Sequence, residues 1–397
     1  MGHHTHEERR RLTGARAPRL AAIMLAALAL TACSKPVPAP DEMDPVSLDE
    51  AKAVAAAFKA AYVPCDPARV DALLDFESLV RRAIQRVEAP DDLRRGIAEG
   101  ARAKGGAGQM LCAGVTADST YDLLRIKDVH GQPRPLLRII SNSAVNYHEL
   151  ELGKSRTDHR VRIVDIQIYT SGDRLSDTLA QLFQQGVAVV EDGDGDGMDT
   201  KMHEASQAAA RGDHATVRRL MRELPAKLRN TKAMRMMDLM SAGSLDPVDY
   251  DAAMEQYRRD FPGDPSVEMM SIDYYYLKKD IAKTVAALDH LDQQVGGDPY
   301  LAVMRASAYL IDQEPEHLAA AEQWARKATE GMPDNKNAWW TLAAVLLVRK
   351  DYAAVVPVVA TLRGRFSEKI DPQTMAKNEL WTGFFASPAS KDSPRSP

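Results

Sequence analysis

The stretch PDNKNAWWTLAAVLLVRKDYAAVVPVVATL, residues 333–362, decides how the chain is read. Its apolar residues fall at Trp339, Leu342, Ala343 and Leu346. Past a polar turn at Asp351-Tyr352 they resume at Val355, Val359 and Leu362. Spacings of three and four put each set on one face of a helix, so two amphipathic helices face each other across a short turn. The pattern returns upstream, because Pro265, Pro299 and Pro333 stand 34 residues apart. Ala321, Ala325 and Ala328 lead into Pro333 as Ala253 and Tyr257 lead into Pro265, and Gly212-Asp213 opens a stripe of Val217, Leu220, Met221 and Leu224. About five helical pairs are expected over residues 200–366. A lone pair hides only one face of each helix and cannot bury a core, whereas stacked pairs make the core continuous.

A 34-residue period with this residue order resembles the tetratricopeptide repeat, whose pattern runs W-x2-L-G-x2-Y, a polar turn, A-x3-F and a closing proline. Ala343 stands for the usual glycine and Val355 for the usual alanine. The resemblance covers a little over 40% of the chain. It implies a protein-binding array whose first helices, expected at 200–211, 229–241, 266–278, 299–311 and 335–349, line a concave side. Candidate partner-binding residues there are Met269, Asp273, Tyr276 and Lys279 on the third, Arg305 on the fourth, and Lys336 and Trp340 on the fifth. Aromatic and arginine side chains are common interface anchors. Residues 367–385, with Trp381, Phe384 and Phe385, are expected to cap the open end of the array. Residues 386–397 are polar and proline-broken, the composition of a disordered tail.

The N-terminal residues 1–32 read as an address. Arg9, Arg10, Arg11, Arg16 and Arg19 precede an uncharged apolar run, Leu20 to Leu30, too short for a permanent membrane span. Leu30-Thr31-Ala32-Cys33 resembles a bacterial lipobox. The resemblance implies cleavage before Cys33, acylation of its thiol and, with Ser34 following, an outer-membrane lipoprotein facing the periplasm. The alternative is an ordinary secretory signal with Cys33 incidental. Losing five arginines and two glutamates would take the formal charge from −5 to −8. Such a balance has no nucleic-acid footprint. Residues 33–46, with Pro36, Pro38 and Pro40, form an extended tether.

Residues 47–190 read as an α+β domain, so the fold class is an α+β unit followed by an all-α repeat array. Ser47 caps a helix striped by Ala51, Val54, Ala55, Phe58, Ala61 and Tyr62. Further helices are expected near 67–87 and 91–103, strands at 121–129, 134–142, 145–152 and 160–170, and a closing helix at 174–190. Gly105, Gly106 and Gly108 read as a loop. Helices followed by a curled antiparallel sheet resemble the cystatin-like and nuclear-transport-factor-like cone, whose concave face serves ligands, catalysis or dimerisation. Cys65 and Cys112, 47 positions apart, are either a disulfide worth about 4 kcal/mol of unfolded-chain entropy or two free thiols.

His148 and Asp165 could form an acid–base pair within the cone. Asp192, Asp194 and Asp196, followed by Gly197, match the opening of a calcium loop, but His203 occupies the place of its bidentate glutamate. The same residues 191–199 read as an acidic, glycine-rich linker. No nucleophile elbow, phosphate loop, dinucleotide fingerprint or paired zinc motif is present in the sequence, and neither a catalytic residue nor a cofactor is assigned. The leading functional reading is a membrane-anchored protein-interaction scaffold of an envelope complex. The alternatives are a carrier of an apolar or lipid ligand in the cone domain, and an enzyme using His148 and Asp165.

Overall fold

The computed structural model describes residues 43–392 except 64, 114, 142, 143, 193, 194 and 376. Cys33, the leader and most of the tether lie outside these residues. The chain forms an α+β unit and then an all-helical array.

Strand β1 (Met43–Asp44) leads into α1 (Leu48–Tyr62). The Ser47 side chain accepts the Glu50 N–H, while the Glu50 carboxylate accepts the Ser47 N–H. This capping box satisfies two otherwise orphaned donors and fixes where the helix begins. The helix buries the stripe expected of it. The single helix expected over 67–87 is instead two, α2 (Pro67–Asp71) and α3 (Phe76–Ile84). Between them the Leu73 carbonyl accepts the Ile163 N–H at 2.9 Å, and the Asp75 N–H donates to the Ile163 carbonyl at 2.8 Å. An open strand edge therefore takes backbone groups that a continuous helix would have used. Asp75 then caps α3 by accepting the Ser78 N–H.

After α4 (Asp91–Lys104) the glycine-containing loop is held by Asp71, which accepts the Ala107 and Gly108 N–H groups at 2.7 Å each. Gly106 takes φ +98°, and a Cβ there would come within 2.2 Å of the Asp71 carboxylate. Only glycine supplies both the backbone and the space. The loop delivers α5 (Gly108–Cys112) beside Cys65, and Cys65 and Cys112 are disulfide-bonded with Cα atoms 5.7 Å apart.

Strands β2 (Thr120–Val129), β3 (Gln132–Ser141), β4 (Ala144–Ser155) and β5 (Val161–Ile168) form an antiparallel sheet. β4 is long enough to pair with β3 over its first half and with β5 over its second, and β1 pairs beside its end at Ser155. One sheet face, including Tyr121, Leu137, Ile139, Leu150 and Ile166, shares a core with α1. Helix α6 (Leu175–Asp192) closes the unit.

The array contains five pairs: α7 (Gly195–Ala210) with α8 (His214–Glu223), α10 (Lys232–Gly243) with α11 (Pro247–Asp260), α12 (Pro265–Leu277) with α13 (Ile281–Val295), α14 (Tyr300–Tyr309) with α15 (Pro315–Gly331), and α16 (Lys336–Val348) with α17 (Tyr352–Phe366). The short α9 (Ala226–Arg229) links the first two pairs. Side chains of Asp213, Asp246, Asp264, Asp280, Asn335 and Asp351 accept N–H groups at helix starts. The 34-residue row marks the starts of first helices, since Pro265 opens α12, Pro299 is the N-cap of α14 and Pro333 shortly precedes α16. The 191–199 linker is shorter than its composition suggests, because α6 runs to Asp192 and α7 starts at Gly195. At the far end α18 (Glu379–Ala386) buries Trp381 and Phe384, while the described residues of 367–378 are not helical. The expected disordered tail is folded at its start, as a 3-10 turn at Pro388–Asp392.

The α+β unit and the array are joined by a common core. Leu136, Ile140, Val145 and Tyr147 on the second sheet face pack with Leu288, Leu291, Val295, Tyr300 and Leu301. Each such side chain contributes about 1.5–3 kcal/mol when fully buried. Polar contacts flank this seam. Asp298, whose side chain is fully buried, bonds Arg138 and Tyr147, while Arg125 reaches the Gly296 and Gly297 carbonyls. Lys232 Nζ lies 2.8 Å from Asp173 and 2.6 Å from Asp264. Burying these charges is tolerable because each has a partner.

Candidate functional site

The first helices α12, α14 and α16 lie side by side, and their free faces line a hollow of about 470 Å³. α12 contributes Ile272, Asp273 and Tyr276; α14 contributes Tyr300, Val303, Met304 and Ser307; α16 contributes Asn337, Trp340, Thr341 and Ala344. Thr284, Leu288 and Leu310 complete it. Residues three and four apart on each helix project together, which is why one face of each supplies the wall.

Of the residues expected to bind a partner, Asp273, Tyr276 and Trp340 share this hollow. Tyr276 is 41% exposed. Trp340 is held in place by Trp381 of α18, its ring centroid 5.9 Å away and nearly perpendicular. Asp273 has no hydrogen bond or ion pair among the described residues. Its carboxyl keeps contact with water, yet the surrounding walls desolvate it and raise its pKa above the ordinary value.

The other four lie elsewhere. Met269 is only 8% exposed and belongs to the core shared with the sheet. Arg305 is 4% exposed, bonded to Asp289 at 2.7 Å and Asp292 at 3.0 Å, and stacked over Trp324. These two are corrected from groove residues to packing residues. The expected register ignored that α13 and α15 claim one side of α14. Lys279 is exposed just past the end of α12, outside the lining, at φ 57°. Lys336 pairs with Glu368 at 2.9 Å beside a separate recess.

Sequence reasoning missed Tyr300, Met304, Ser307, Asn337 and Thr341. The signal was present, because Asp273, Ser307 and Thr341 are 34 apart, as are Tyr276, Leu310 and Ala344. Tyr300 ties the hollow to the rest of the molecule. Its N–H donates to Asp298 at 3.0 Å, its hydroxyl bonds the Asn337 amide, and the Arg138 guanidinium lies over its ring.

His148 and Asp165 do not form an acid–base pair. His148 packs with Tyr62 and Tyr121 on the helix-covered face, with its Nδ1 3.1 Å from the Tyr121 hydroxyl, and burial lowers its pKa to about 4. Asp165 accepts from Arg82 and from the Ser176 hydroxyl and N–H near the start of α6. An acidic row on the sheet, Glu149 and Glu151, is matched by Lys127, Arg134, Arg82 and Arg174. Both sheet faces thus carry packed or charge-paired side chains. Side chains of the calcium candidates Asp192, Asp194 and Asp196 lie outside the described residues. Among the described residues no helix is long and apolar enough to cross a membrane.

No protein family, curated protein or solved structure matches this chain. The fold and the site therefore define it as an α+β unit docked on a helical-pair array that carries an aromatic-lined hollow.

Proposed function

We propose that the protein is a membrane-anchored, periplasm-facing scaffold of the bacterial envelope that binds a segment of a partner protein in the hollow of its tetratricopeptide-like array. The observation that carries this reading is the convergence of three successive first helices on one open, mainly apolar hollow with Tyr276 and Trp340 on its walls. Rigid aromatic side chains around a concave surface offer large contact area at small entropic cost. The lipobox-like Leu30-Thr31-Ala32-Cys33 supports the anchored placement.

The test is a photo-reactive amino acid introduced in cells at Tyr276, compared with the same residue at Gln323 on the exposed side of α15. A discrete crosslinked protein from position 276 and not from 323 is expected. Identical adducts from both positions, or none from 276, would overturn the reading. Cys33→Ser is expected to move the protein out of the membrane fraction, and retention there would remove the anchor.

A further inference from the structure

Resting on the scaffold reading, we infer that the hollow selects an extended partner segment carrying a lysine or arginine side chain, which is placed against Asp273.

Three observations converge on this. The first is charge. Among the fourteen residues lining the hollow there is one carboxylate and no lysine, arginine or histidine. A cationic side chain is the group that a lone carboxylate on the wall of a concave recess stabilises most, because the interaction strengthens as the bound segment excludes water.

The second is that Asp273 is paired with no cation among the described residues, its electrostatic neighbour being the Tyr250 phenol. The other acidic residues near the array's helix seams are spent: Asp251 bonds Lys278 and Tyr274, Asp289 and Asp292 hold Arg305, Asp264 holds Lys232, and Asp298 holds Arg138. Asp273, by contrast, takes part in no hydrogen bond or ion pair among the described residues. The desolvation that raises its pKa is a cost to the free protein that a bound cation would offset.

The third is surroundings. Tyr276 stands one turn along the same helix, and Trp340 and Tyr300 face it from the neighbouring first helices. Aromatic faces attract the polarised methylenes and the charge of lysine and arginine. Asp273, Ser307 and Thr341 occupy equivalent positions on successive first helices, so they make a polar row across the hollow. A segment lying along that row would meet the carboxylate at one end and the Trp340 face toward the other. That arrangement favours a basic residue followed by apolar ones over an acidic peptide.

The experiment uses the full chain and an N-acetylated, C-amidated positional-scanning hexapeptide library, which removes free termini as a source of charge. Peptides retained by the wild-type protein are compared with those retained by Asp273→Asn and by Trp340→Ala, and the thermal midpoint of each variant is measured. The expected result is enrichment of lysine or arginine over glutamate by roughly tenfold or more at one position, reduced to near parity in Asp273→Asn with an unchanged or higher midpoint. Arginine-containing hits resynthesised with citrulline should lose the same affinity. Retained peptides without basic enrichment, or an enrichment that Asp273→Asn leaves intact, would overturn the inference while the scaffold reading stands. Retention that Trp340→Ala does not change, or no retention at all, would instead sink peptide binding in the hollow, and the inference with it.

Discussion

The Tyr147 hydroxyl donates to Asp298 Oδ2 at 2.7 Å across 151 residues of sequence, joining the middle of the sheet to the start of α14. The other Asp298 oxygen receives Arg138 and the Tyr300 N–H. One carboxylate thus serves the sheet and the array at once, and burial together with Asp298 holds the Tyr147 phenol well above its usual pKa.

Asp298→Ala should therefore be among the most destabilising single changes in the chain. It would leave Arg138 buried with only Asp122, at 3.4 Å, as a counter-charge. Removing one partner of a buried pair costs about 3–5 kcal/mol. Urea unfolding followed by tryptophan fluorescence, which reports the array, and by far-ultraviolet dichroism should show a lower midpoint by both probes. A midpoint equal to that of the wild type would mean that the seam does not need this carboxylate.

His148 gives an acid-limb prediction. It is 3% exposed, and its pKa falls from 6.5 to about 4. The unfolded chain then binds the proton more readily, so the stability His148 confers is complete above pH 6.5 and is lost as pH falls toward 4. The loss is on the order of 3 kcal/mol. His148→Gln should flatten the stability profile in that window, and an unchanged slope would place the acid sensitivity elsewhere.

The disulfide closes the loop that contains α2 to α5. Cys65→Ser with Cys112→Ser should lower stability by about 2–4 kcal/mol, and reductant should reproduce the effect in the wild type. Native protein that alkylates freely at both cysteines would contradict the bond.

Asp273→Asn should behave unlike the removal of a paired acid in the array. Because the folded state raises the Asp273 pKa, ionisation weakens the fold as pH rises. The asparagine variant should match the wild type near about pH 3 and equal or exceed its thermal midpoint near about pH 7. A lower midpoint at neutral pH would show that the carboxylate supports the fold after all.

Much of the architecture was legible because it is local. The α1 stripe, the capping aspartates and the 34-residue proline row each state a helix start or face within a few residues. What was not legible is non-local. Nothing around Leu73 announces that Ile163 will take its carbonyl, and nothing around Arg305 says that Asp289, Asp292 and Trp324 will enclose it. The hollow lies between these cases. Asp273, Tyr276 and Trp340 could be picked from exposed-looking helix faces, but Met269 shared the same apparent face and is claimed by the sheet. Superposing the first helices by their period would have recovered Ser307, Thr341 and Leu310 directly.

Stacked helical pairs ordinarily behave as springs, each junction adding its own small compliance. Here the sheet grips the array at 296–298, between the third and fourth pairs, and again through Lys232 between Asp173 and Asp264. The coil is therefore splinted where α12 and α14 meet, and its elasticity is left to the terminal pairs. A partner pulling on the array would bend the ends before it widened the wall between Asp273 and Tyr300.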